Sequence, residues 1–266
     1  VRLFLEHFRR SWKTGFLIGT GVFAFHLVVL FVFRSIQEGT SPAFLSRLLP
    51  KGIQAFLGMD RLPVNTIGGF LAVVYQHPFM LAAFLAFPVV AGSAFLAGEV
   101  ERKTIALLLC RPIRRISMVI SSAAVCAVWL AVLVACACGG TYVGVGWVQA
   151  EPPDYMQLAA VALNLYLLGL AVSGISIMFS AMLSERGDAA GWTVTAVLVM
   201  YVGNFIGQVW PAAKPFAGYS LFNYFTPGRI FVEGAAPLLN LYVTGGVFLV
   251  TVLVGCVAFA RREFLV

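Results

Sequence analysis

The chain alternates long apolar runs with short polar breaks. Six runs approach or exceed the ~20 residues that a transmembrane helix needs. They cover residues 15–33, 78–97, 116–138, 158–183, 189–210 and 238–260, and none holds Asp, Glu, Lys or Arg in its interior. The pattern predicts an all-α polytopic membrane protein with six transmembrane helices in one transmembrane domain over 1–266.

The breaks are informative too. Residues 2–13 place Phe4, Phe8 and Trp12 on one helical face and Arg2, Glu6, Arg9 and Lys13 on the opposite one. This predicts an amino-terminal interfacial helix over 1–14, lying on the cytoplasmic leaflet. The 34–77 segment is rich in Leu and Phe with Pro breaks, and is expected to hold short helices on the outer surface. Residues 211–237 mix aromatics with Pro and Gly, as expected of a broken outer segment that dips into the interface before the last span.

Composition narrows the class. Hydrophobic residues make up 61% and charged residues 11%, against roughly 25% charged in an average soluble domain. Such a balance excludes a soluble enzyme, a disordered tail and a disulfide-stapled secreted module. The first apolar run is long and lacks a small-residue cleavage pattern, so it reads as a span and not as a signal peptide. The net charge of +7 does not point to nucleic acid, because the basic residues sit between apolar spans and not on a hydrated patch with aromatics among them. Their distribution instead orients the chain. Residues 1–14, residues 98–115, Arg186, Arg261 and Arg262 carry twelve of the eighteen Lys and Arg. That side is expected to be cytoplasmic, with both termini on it. The five cysteines show no ligand spacing and read as small buried hydrophobes.

The most informative break is Gly98 to Arg115, GEVERKTIALLLCRPIRR. Glu99 and Glu101 suit the positive end of a helix dipole, and Glu99 stands four residues before Lys103 in the favourable order. Ile105, Leu108 and Leu109 form an apolar stripe. Pro112 disfavours helical geometry at Arg111 and so stops the helix, and Arg114 and Arg115 anchor the next span at phosphate headgroups. Such a short cytoplasmic helix needs a cover for its stripe, either the membrane surface or a partner protein.

This segment resembles the signature that follows the second span in type-2 ABC transporter permeases: a Glu, a Thr three residues on, a Leu run, a Pro and a final Arg. Here those positions are Glu101, Thr104, Leu107 to Leu109, Pro112 and Arg115, with Glu99 and Arg111 also fitting. The overall plan of amphipathic amino-terminal helix, six spans and broken outer segment is similar as well. The resemblance implies that this is a six-span export permease subunit. It also implies that 98–115 is a coupling helix docking on an ATPase subunit, with Glu99, Glu101, Thr104, Ile105, Leu108, Leu109, Arg111, Pro112 and Arg115 making that coupling. Two positions depart from the pattern: Lys103 stands where a glycine is common, and Ser122 where a lysine is common.

A permease of this kind does not power itself. A phosphate-binding loop needs GxxxxGK[ST]. Around Lys103–Thr104, Arg102 and Ala97 occupy both glycine positions. ATP and Mg are therefore expected on a separate ABC ATPase chain, with no cofactor held here. The resemblance implies a second permease copy or a homologous permease as a further partner, in a cell (inner or plasma) membrane.

Polar residues inside the spans offer a candidate substrate path: His26, Asn164, Asn204 and Gln208, along with Ser173 and Ser176. The competing reading is ordinary hydrogen bonding between helices. Four GxxxG pairs occur, a number that 26 glycines in 266 residues produce by chance. No catalytic or metal site is expected. His7, His26 and His77 are isolated, and none is followed by the Glu of an HExxH metalloprotease. A membrane anchor that assembles a complex without transport, or an intramembrane enzyme, is the alternative.

Overall fold

The computed structural model describes residues 2–39, 66–105, 114–234 and 236–263. Every regular element among them is helical: α1 Arg2–Gly39, α2 Ile67–Gln76, α3 Pro78–Phe95, α4 Ala97–Glu101, α5 Arg115–Val148, α6 Tyr155–Met182, α7 Arg186–Val209, α8 Lys214–Ala217, α9 Pro227–Glu233 and α10 Leu238–Arg261. Two 3-10 turns, Pro211–Ala213 and Leu221–Tyr224, flank α8. Six of these helices, α1, α3, α5, α6, α7 and α10, are long and apolar enough to cross a membrane. The chain is an all-helical polytopic protein, as its hydropathy pattern requires.

Burial follows from sequence locally. Along α1 the buried positions are His7, Ser11, Gly15, Gly19, Val22, His26, Leu30 and Phe33. Spacings of three and four put them on one face. That face packs along α5: Phe8 stacks on Trp129 at 5.0 Å. At Gly140 a Cβ would stand 2.6 Å from the Phe23 carbonyl oxygen, so the two backbones meet where a side chain has no room. Two of the GxxxG pairs, Gly15/Gly19 and Gly140/Gly144, therefore lie inside this intrachain contact.

The amino-terminal segment departs from its expected arrangement. It is helical, but no break separates it from the first span. α1 is one rod of 38 residues, about 57 Å at 1.5 Å per residue. Thr14 and Gly15 carry no stop signal, and the buried stripe runs through them. His7 stacks on Phe95 of α3 at 4.7 Å, so the face bearing Phe4, His7 and Phe8 covers protein. Trp12 remains exposed.

α6 is the centre of the bundle, with 72% of its apolar window buried. It meets α3 closely: a Cβ on Gly92 would lie 2.6 Å from the Ser176 Oγ. The Ser180 hydroxyl accepts from the amides of Leu96 and Ala97 and donates to the Ser93 carbonyl at 2.9 Å. One hydroxyl thus satisfies the backbone where α3 gives way to α4. Local signals set several helix ends. Asp154 caps α6 by accepting from Met156 N at 2.8 Å. His77, extended because a proline follows, separates α2 from α3. At the opposite end of the bundle, Asn164 of α6 holds the broken segment at two points, donating to the Tyr224 carbonyl at 3.0 Å and accepting from Thr226 N at 3.2 Å. Asn240 of α10 donates to the Thr226 hydroxyl at 2.9 Å.

Candidate functional site

The charged residues of the α3–α5 connection gather where several helices end. α4 is short, with Glu99 in its first turn. α4 ends at Glu101, because the chain turns at Arg102 and Lys103 before Ile105 is helical again; the expected stop at Pro112 lies outside the described residues. Lys103 adopts φ 58°, in the left-handed region, and the Thr104 amide folds back to donate to the Glu99 carbonyl at 3.1 Å. That conformation gives the glycine common at position 103 a physical reason, since a Cβ is penalised there.

The turn redirects the side chains. Helical spacing from Glu99 to Lys103 is lost, and the Glu99 carboxylate, only 8% exposed, pairs instead with the Arg10 guanidinium of α1. Its other oxygen accepts from the Thr104 hydroxyl at 2.5 Å. Glu101, exposed, accepts from the Arg186 backbone N–H at 2.9 Å, across to the start of α7. Ile105 is buried in the core. Leu108, Leu109, Arg111 and Pro112 lie outside the described residues. Arg115 opens α5 and donates to the Arg262 carbonyl at 2.6 Å. Arg262 in turn donates to the carbonyls of Ala181 and Leu183 at 3.0 and 2.8 Å, closing the carboxyl end of α6. Partial burial lowers the Arg262 pKa below the ordinary guanidinium value.

Charge-assisted hydrogen bonds thus form two sets: one ties α4 to α1 and to the start of α7, the other ties the start of α5 to the end of α10 and that in turn to the end of α6. Glu99, Glu101 and Thr104 belong to the first set and Arg115 to the second. Arg10 and Arg262 complete them, yet their sequence context marks them only as positive charges that orient the chain. Their partners are 89 and about 80 residues away, and no local spacing announces them. Ser180 was missed for the same reason.

The polar residues within the spans have different local surroundings. His26 is fully buried, its Nδ1 2.8 Å from the Val22 carbonyl and its ring 5.0 Å from that of Tyr75. Asn164 is occupied in anchoring residues 224–226. Asn204 and Gln208 lie one turn apart on α7, the first buried and the second exposed. Among the described residues, no group of three or more His, Cys, Asp or Glu is placed to hold a metal ion.

Six apolar helices long enough to cross a membrane define a polytopic membrane protein. A family model described as ABC-2 family transporter protein matches residues 8–264, and the chain belongs to that family. It is a permease subunit of an ABC transporter, a multi-pass membrane protein that is not itself the catalytic subunit. Permeases of this family generally pair with an ABC ATPase subunit. No curated protein and no solved structure matches the chain.

Proposed function

We propose that this permease belongs to an ATP-driven exporter and that residues 99–112 receive the stroke of a separate ATPase chain, which holds ATP and Mg. Both termini face the cytoplasm of a cell membrane, and a second permease copy or a homologous permease completes the assembly. The observation that carries this reading is the attachment of α4 to two spans at once, by Glu99 to α1 and by Glu101 to α7. A segment that only rested on lipid would have no need of such ties. The coupling role extends over Glu99, Glu101, Thr104, Ile105, Leu108, Leu109, Arg111, Pro112 and Arg115. Gln208, exposed on α7 with Asn204 beneath it, is the part of the expected substrate path that reaches the bundle surface.

Affinity purification of the tagged chain in mild detergent, with mass-spectrometric identification of its partners and an ATPase assay, tests the reading. A stoichiometric P-loop ATPase is expected with wild type. Leu108→Asp places a charge on the apolar stripe and should strip the ATPase from the complex, with at least a tenfold loss of co-purified activity, while membrane insertion is unchanged. A chain that elutes alone overturns the assignment.

A further inference from the structure

α7 is the least buried of the six spans. Only 17% of its apolar stretch is buried, against 22% for α10, 28% for α1 and 72% for α6. Its N-cap residue, Glu185, makes no side-chain capping bond. The cap comes from elsewhere: the carboxylate of Glu101 on α4 accepts from Arg186 N, at the helix end where the backbone dipole favours negative charge. At the far end α7 is fastened to the broken outer segment. The Ser220 hydroxyl donates to the Met200 carbonyl at 2.7 Å, the Tyr201 and Phe222 rings meet edge-on at 5.1 Å, and a Cβ on Gly207 would stand 2.6 Å from that of Ala217. That segment is pinned in turn to α6 and α10 by Asn164 and Asn240.

We propose that Glu101 is the positioning residue through which the cytoplasmic segment moves α7, and that α7 swings as a lever about its outer anchor. The proposal rests on the reading of residues 99–112 as the receiver of the ATPase stroke, and adds which span takes up the motion and through which bond. Packing decides between the spans that α4 touches. α1 is locked along α5, where a Cβ at Gly140 would meet the Phe23 carbonyl oxygen, and displacing α6 would open voids among close-packed side chains. α7 presents Trp192, Leu198, Val199 and Val202 away from the rest of this chain, so its displacement opens no cavity within the subunit. The handle is the Glu101–Arg186 bond, and the pivot is the contact of Met200, Tyr201 and Gly207 with residues 217–222.

Deleting the donor tests this without altering α4. Arg186 is the first helical residue of α7, where proline is well tolerated, and Glu185 before it is already extended at φ −109°, ψ 136°, as a residue preceding proline must be. Arg186→Pro therefore removes the N–H, and Arg186→Ala removes only the side chain. The readout is hydrogen–deuterium exchange of the amides at 187–191 in the complex with its co-purified ATPase, nucleotide-free and trapped with ADP and vanadate. Wild type and Arg186→Ala should show a nucleotide-dependent difference in that first turn, and Arg186→Pro should lose it. Glu101→Ala should lose it as well, and Glu101→Gln, whose amide oxygen still accepts, should keep it; this pair carries the test if the proline variant misfolds. A difference that survives in Arg186→Pro or Glu101→Ala overturns the proposal, as does a wild type without one. Failure of any ATPase to co-purify overturns the underlying reading and this inference with it.

Discussion

Lys103 holds a backbone conformation that suits glycine, at φ 58°, and its side chain is exposed. Lys103→Gly should therefore stabilise the detergent-solubilised protein, by about 1 kcal/mol, as a raised unfolding temperature. Lys103→Val should destabilise it by a similar amount or more, since β-branching worsens the same strain. Equal unfolding temperatures for all three would remove the left-handed turn from the account of α4. The sequence flags position 103 only as a departure from a family pattern, because a dihedral angle is not readable from a lysine. The ion pair of Glu99 was equally hidden: spacing points to Lys103, and the turn hands the carboxylate to Arg10 of α1.

At the scale of elements, identical motifs separate by what faces them. Gly140→Ala would push a methyl to within 2.6 Å of the Phe23 carbonyl. It should cost about 1–3 kcal/mol by forcing α1 and α5 apart. Gly191→Ala on α7 meets nothing within 4 Å and should be neutral or mildly stabilising through helix propensity; comparing the two melting curves checks both. Both glycines belong to GxxxG pairs, and spacing alone does not tell them apart. The outer segment gives a third contrast. Asn164→Leu leaves the Tyr224 carbonyl and the Thr226 amide without their partner, a loss of about 1–3 kcal/mol for each buried group. Exchange at residues 224–226 should rise first, before any change in α6; simultaneous loosening of α6 would argue against a local anchor. The broken character of 211–237 is legible in its Pro, Gly and aromatic residues, whereas the Asn164 that holds it lies in a span 60 residues earlier.

For the whole molecule, the basic end and the exposed aromatics set the membrane. Trp192 on α7 and Trp210 just past its end are both exposed and stand 18 residues apart, about 27 Å along a helix axis, close to the ~30 Å hydrocarbon core. In the orientation proposed above, the Trp192 end lies inside. A membrane-impermeant thiol reagent on intact cells, with the native cysteines removed, should label Tyr219→Cys from outside, and Lys103→Cys only after permeabilisation. The opposite pattern would invert the orientation and move the α4 network to the outer side. The same orientation makes α7 a span whose inner end meets α4 and whose outer end meets the broken segment.

Six helices of membrane length and the all-helical class were determined by the sequence, because apolar runs of membrane length are a one-dimensional property. Tertiary structure decided that α1 is one continuous rod packed on α5, that α4 ends at Glu101, and that its two carboxylates bind Arg10 and the start of α7. It also decided that Asn164 serves as an anchor for residues 224–226. The physical reason is common to all four outcomes. In a bundle whose side chains are mostly apolar, the few polar groups are satisfied by partners that the packing brings near. Those partners come from other helices, at sequence distances over which no local period carries information.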